Sequence, residues 1–156
     1  MSVPPQLLDL LPAVAIFGCG LQAGIMLSVI IHDWRVGALP ASGYAAMHAM
    51  RDAGFRRAMP PLMLGSLAVS LLCALVVPGT VLPMGLSALL LLLSMQLTVR
   101  RLVPLNRRLV RHGMDMLPAD IVRLRGRWER WHRLRTALSI AAFIAALAAG
   151  QGGGFR

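Results

Sequence analysis

The sequence predicts an all-α polytopic membrane protein, a four-transmembrane-helix bundle with a short cytoplasmic helix between spans one and two and a helical extension before span four. Three observations carry that expectation. Four long apolar runs begin near Leu10, Met59, Met84 and Leu134 with almost no charge inside them. All 4 histidines and fifteen of the 16 basic residues fall between those runs. The composition, 57% hydrophobic with a mean hydropathy of +0.69, exceeds what a soluble surface usually carries. A chain of 156 residues holds one compact bundle, read here as a single membrane domain over 1–156. No internal repeat is evident, which argues against an inverted-repeat carrier.

A hydrocarbon core of about 30 Å requires roughly 20 apolar helical residues. Leu11 to Ile31 meets this length, and no Lys or Arg precedes it, so the charged start of a cleavable signal is missing and the span is expected to stay. A short helix is expected after Ser42 and Gly43, with Ser42 as its cap. On it Tyr44, Met47, His48, Arg51 and Phe55 are read as the inward face, with Asp52, Arg56 and Arg57 pointing elsewhere. Span two, Met59 to Val77, places Pro60 and Pro61 in an expected first turn, where amide donors are free anyway, and stops at Pro78 and Gly79.

Span three, Met84 to Val103, is apolar all round from Leu86 to Leu93, unlike an amphipathic helix of a soluble core. It leaves the membrane through Thr98, Arg100, Arg101, Pro104, Leu105 and Asn106. Pro104 frees a carbonyl near residue 100, and Asn106 either satisfies that break or presents its amide to a ligand. Pro118 launches a helix that runs through Trp128 into span four, Leu134 to Ala149. Its inward stripe is Ile121, Leu124, Trp128, His132, Arg135 and Ser139, bordered by Trp131, while Arg123, Arg127 and Arg130 face away. An interfacial aromatic belt with a snorkelling Arg135 is the alternative use of the same stripe.

Small residues recur every four positions and mark expected helix contacts: Gly20, Gly24 and Ser28; Ser66, Ser70 and Ala74; Ala137, Ala141 and Ala145. Such spacing also suits a homo-oligomer. Gln22 and Gln96, the most deeply placed polar residues of spans one and three, are expected to cross-link helices. Cys19 and Cys73 lie in apolar runs and read as small buried hydrophobes.

The net charge of +10 follows the loops, which points to topology and to anionic lipid headgroups, and not to nucleic acid. Arg35, Arg51, Arg56 and Arg57 lie between spans one and two, eleven more arginines run from Arg100 to Arg135, and only Arg156 lies elsewhere. By the positive-inside rule both basic loops are cytoplasmic and both termini outside, in an inner (plasma) membrane.

The run Thr98, Pro104-Leu105-Asn106-Arg107-Arg108 and Trp128-Glu129-Arg130-Trp131-His132-Arg133-Leu134-Arg135-Thr136 resembles the anthrone oxygenase-like family of small four-span membrane proteins. The Gly-rich first span and the segment from Tyr44 to Pro60 are similar too, so the resemblance covers nearly the whole chain. It implies an oxidoreductase that converts an enolisable, polycyclic aromatic or quinone-like substrate with molecular oxygen, with no required cofactor. An acidic C–H flanked by aromatic rings needs a base, which histidine can supply near neutral pH, and the resulting oxyanion needs donors. His132 or His48 is expected as the base, Arg135, Arg51 and Asn106 as oxyanion or substrate-orienting donors, and Trp128 and Tyr44 as an aromatic wall.

Two other classes stay open at this stage. A metal-assisted variant would use His48 and His132 with Asp52 or His112. A non-catalytic scaffold or subunit would need only the spans and a basic cytoplasmic face. An inward position of His48 and His132 discriminates, because a scaffold needs no titratable groups beneath its aromatic residues. A transporter is disfavoured, since no ionisable residue lies near the centre of a span.

Overall fold

The computed structural model describes residues 5–36, 38–113 and 115–152, and the described residues are helical apart from short connections. Helix α1 runs Pro5–Val36, α2 Ala41–Val76, α3 Val81–Leu97, α4 Val103–His112 and α5 Pro118–Gly152. A π turn, Thr98–Leu102, joins α3 to α4, so the chain forms four rods. Each rod is long and apolar enough to cross a membrane. Connections of a few residues force consecutive rods to run antiparallel. Helix α5 packs on α1 and α3, and α2 packs on the same two from the other side; α1 and α3 sit on the diagonal.

The rods exceed the membrane requirement. At 1.5 Å per residue, crossing takes about 20 residues, fewer than the 36 of α2 or the 35 of α5. The apolar ends, from Met59 in α2 and from Leu134 in α5, supply the crossing, and the charged N-terminal halves project beyond it. The short helix expected before span two is therefore not a separate element: it is the first half of α2. Pro60 and Pro61 lie inside that helix, not in its first turn. They leave the carbonyls of Arg56 and Arg57 without an i+4 donor, and both residues are exposed, so water or lipid headgroups can take over those bonds. Pro40 occupies the N-cap position, and no side-chain cap bond forms there, so Ser42 does not cap.

The π turn is the structural answer to Pro104. Proline has no amide hydrogen and its ring crowds the carbonyl four residues back. Widening the helix by one residue removes that conflict, and the Val103 N–H bonds to the carbonyl of Thr98, five residues earlier. Asn106 is thereby released from any capping task.

Core packing divides into layers. Near the chain termini, Ala15, Cys19, Cys73, Met84, Leu91, Ala142, Ala146 and Ala149 pack together. Cys19 and Cys73 are free thiols buried in this layer, as expected. Met26, Met59 and Met63 fill the middle. At the arginine-bearing end Val29, Tyr44, Leu102, Leu105, Leu109, Ile121, Leu124 and Trp128 pack around the site described below. Phe17, Leu75, Leu82 and Ile144 point outward, as lipid contact requires.

The polar residues inside the spans follow the expectation in part. Gln22 is fully buried and donates from Nε2 to Ser139 Oγ at 3.3 Å, a cross-link between α1 and α5. Gln96 instead faces outward, because Leu91 and Ser94 set the buried side of α3. Ser66, Ser70 and Ala145 are buried and Gly20 lies close against the Phe143 ring of α5, but Gly24, Ser28 and Ala137 are exposed. The close-packed frames are Ala15-Cys19-Ala23 on α1 and Ala142-Ala146-Ala149 on α5. Where every residue is small or apolar, several four-residue frames coexist, and the packing partner selects one.

Candidate functional site: a polar cleft at the arginine-bearing end

Two helices bring an imidazole and a guanidinium into the same place by the same spacing. On α2, Arg51 follows His48 by three residues, and on α5 Arg135 follows His132 by three, so each pair shares a helix face. Arg51 lies 3.1 Å from His48 Nδ1 and Arg135 2.7 Å from His132 Nδ1. A guanidinium can only donate, so both Nδ1 atoms accept and both rings are neutral with the proton on Nε2. The Nε2 partners agree with this tautomer. His48 Nε2 donates to Asn106 Oδ1 at 3.3 Å, and His132 Nε2 donates to the carbonyl of Met26 at 3.2 Å. For His48, which stands beyond the membrane-crossing part of α2, burial first and the Arg51 charge second lower the pKa below its ordinary value.

Asn106 joins three elements. Its Oδ1 accepts from His48 and from Trp128 Nε1 at 2.6 Å, and its Nδ2 donates to Asp52 Oδ1 at 2.8 Å. Asp52 also holds Arg56, and Arg51 is held by Asp33 from the end of α1. Trp128 is the hub of the aromatic contacts: it stacks on His132 with centroids 4.7 Å apart, meets His48 edge-on at 5.1 Å, and carries the Arg51 guanidinium 4.9 Å from its centroid.

A cleft of ≈ 230 Å³ opens beside this network. His48, Arg51, Asp52, Asn106 and Arg135 supply its polar side, Phe55, Met59 and Met63 its apolar side, and Trp128 also lines it. Arg56, Pro60 and Arg107 are its exposed rim. Of the residues expected at a site, His48, Arg51, Asn106, Trp128 and Arg135 meet here. His132 does not line this cleft. It is buried behind Trp128 and borders a second groove between α1 and α5, with Ile30, Asp33, Trp34 and Glu129. Tyr44 is also buried, with its ring 5.8 Å from His48 and beneath Arg125, and it lines neither cavity.

Two acids belong to the site beyond the residues expected in catalysis, Asp52 having entered only as a possible metal ligand and Asp33 not at all. Asp52 was expected to point away from the His48 face, yet it is buried at 6% exposure beside it. Four residues after His48 it falls about 40° from it around the helix, nearer than Arg51, so the periodicity itself carried the signal. Asp33 had no motif to mark it. Among the described residues, no three His, Cys, Asp or Glu side chains are grouped as a metal site would need; the side chain of His112 lies outside them.

The buried neutral state of His48 has a pH consequence. Its pKa is lower in the folded protein than in the unfolded chain, so the unfolded chain binds the extra proton first. Stability is full above the unfolded value of about 6.5 and declines as the pH falls below it. The melting temperature in detergent should drop between pH 7 and pH 5, and His48→Gln should flatten that drop. An unchanged slope in the variant would remove His48 as its cause.

A protein-family model described as anthrone oxygenase matches residues 47–145, a stretch that contains His48, Arg51, Asp52, Asn106, Trp128, His132 and Arg135. No curated protein and no solved structure matches the chain.

Proposed function

The chain belongs to the anthrone oxygenase family, and from that premise we propose that it is a membrane oxidoreductase oxidising an enolisable aromatic substrate with molecular oxygen in the cleft between α2, α4 and α5. The observation that carries this reading is the neutral His48 imidazole at the cleft wall beside the Arg51 guanidinium. A base for the C–H and a cation a few ångströms away for the oxygen across the ring are what enolisation of such a substrate needs.

In this reading His48 Nδ1 takes the proton from the carbon flanked by two rings, as Arg51 turns from the imidazole toward the developing enolate oxygen. Asp33 holds Arg51 in place. Asn106 fixes the His48 ring through Nε2, and Asp52 fixes the Asn106 amide so that Oδ1 faces both His48 and Trp128. The enolate is electron-rich enough to reduce oxygen. Joining the two gives a carbon-bound hydroperoxide, which loses water to leave a carbonyl; one anthrone and one O2 become one quinone and one water. Arg135 orients the substrate, and His132 holds Arg135 from behind. Trp128 contributes an edge and not a stacking face, because His132 and Arg51 cover its ring.

The proposed orientation puts this cleft at the cytoplasmic boundary of the plasma membrane. The support is the gathering of arginines at one end of the four rods. Reporter fusions after Gly79 and after Gln151 are expected to read outside, and fusions at Gly37 and Gly113 inside. A cytoplasmic signal at Gly79 overturns the orientation.

A further inference from the structure

The charges of the cleft do not balance. Arg51, Arg56, Arg107 and Arg135 line it against a single lining carboxylate, Asp52. Two of the four cations are accounted for: Asp52 pairs with Arg56, and Asp33 reaches Arg51 from outside the cleft. Arg107 is exposed at the rim, where water and headgroups screen it. Arg135 differs. It is half-buried at the start of the membrane-crossing part of α5, and among the described residues no carboxylate pairs with it. Its recorded polar partner is the neutral imidazole of His132, and its Nε is buried with no acceptor at all. A cation so shielded is costly without an anion beside it. Arg135 lines the cleft, from which an anion can reach it.

We propose that the cleft binds a compact aromatic carboxylate, whose carboxylate group docks on Arg135 and whose ring lies against Phe55, Met59 and Met63. The ligand class follows from three features. The uncompensated charge asks for an anion, and the planar fork of a guanidinium matches a carboxylate. The apolar side asks for a hydrophobic body. The volume of ≈ 230 Å³ is below the usual range for drug-sized ligands, about 300 to 1,000 Å³, and limits that body to two or three fused rings. This rests on the reading of the cleft as a substrate site and deepens it: the substrate carries an acid group away from the carbon that is oxidised, held by Arg135, while Arg51 stays free for the enolate.

The test is binding, read apart from turnover. Purified protein in nanodiscs of uncharged lipid is titrated with 1-naphthoate and with its neutral isostere 1-naphthamide, following quenching of tryptophan fluorescence. The naphthoate is expected to bind at least about tenfold more tightly than the amide, as one charge-assisted contact implies. Arg135→Gln should erase that preference and leave amide binding within about twofold, whereas Arg135→Lys, which keeps the charge and loses the fork, should retain only part of it. Equal affinity for the two probes in the wild type, or no saturable binding of either, overturns the proposal. So does a preference that survives Arg135→Gln, which places the charge selectivity away from Arg135. Nanodiscs containing phosphatidylglycerol give the last arm: if they abolish naphthoate binding to the wild type, the native anion is a lipid phosphate and the aromatic assignment is wrong. Naphthoate selectivity without oxygen uptake by any anthrone would sink the oxygenase reading alone; oxygen uptake without charge selectivity would sink this inference alone.

Discussion

His48→Ala is expected to lower oxygen uptake with an anthrone-like substrate by a factor of about 10² to 10⁴, the usual cost of losing a general base. The same substitution leaves Asn106 Oδ1 still bonded to Trp128 and Arg51 still held by Asp33, so the walls of the cleft persist. Arg130→Ala, on the exposed face of α5, controls for general damage at that end of the bundle and should keep wild-type turnover. His132→Ala should cost less than His48→Ala, since His132 reaches the cleft only through Arg135 and Trp128. The order of these two effects is informative: a larger loss at His132 would move the base to the other side of Trp128.

The second large effect concerns stability. Asp33→Ala should destabilise the protein by about 3 kcal/mol, the lower end of the cost of stripping a buried charge of its partner. The lower end applies because the Arg51 side chain keeps 17% exposure while that of Asp33 has 7%. The measurement is the melting temperature in detergent micelles, with Asp33→Leu plus Arg51→Met as the companion. Removing both charges should recover much of the loss, since the cost lies in the orphaned guanidinium and not in the missing contact. A melting temperature unchanged in the single variant would show that Arg51 finds water, and that the Asp33 pair does not fix it.

The two effects share a physical origin that also explains what the sequence could and could not reveal. Span number and the arginine-bearing end were legible because hydrocarbon admits few charges, so segregation along the chain maps directly onto depth. The α5 stripe from Ile121 to Ser139 was legible for the related reason that one regular helix keeps its period. The α2 boundary was not, because Pro60 and Pro61 carry the same signal at a helix start as inside a helix whose freed carbonyls are exposed. Asp52 was readable from its angle to His48 but was grouped by charge with its neighbours Arg56 and Arg57. Asp33 was unreadable: an acid at the end of a span looks like an ordinary boundary residue until the fold sets Arg51 beside it. The shared cleft lay between these cases. The sequence placed His48, Asn106 and Arg135 at one end, and only the packing of α2, α4 and α5 decides that they meet while His132 falls behind Trp128.

The central claim, oxidation of an enolisable aromatic ring by oxygen in the cleft, is tested most directly by isotope. The wild-type protein in nanodiscs is supplied with an anthrone and 18O2, and uptake and products are compared with a protein-free control that measures spontaneous oxidation. The account predicts uptake above the control at one O2 per anthrone, one 18O atom in the quinone and the other in water. Uptake no faster than the control, or a quinone oxygen drawn from solvent under conditions where the quinone itself does not exchange, would contradict it.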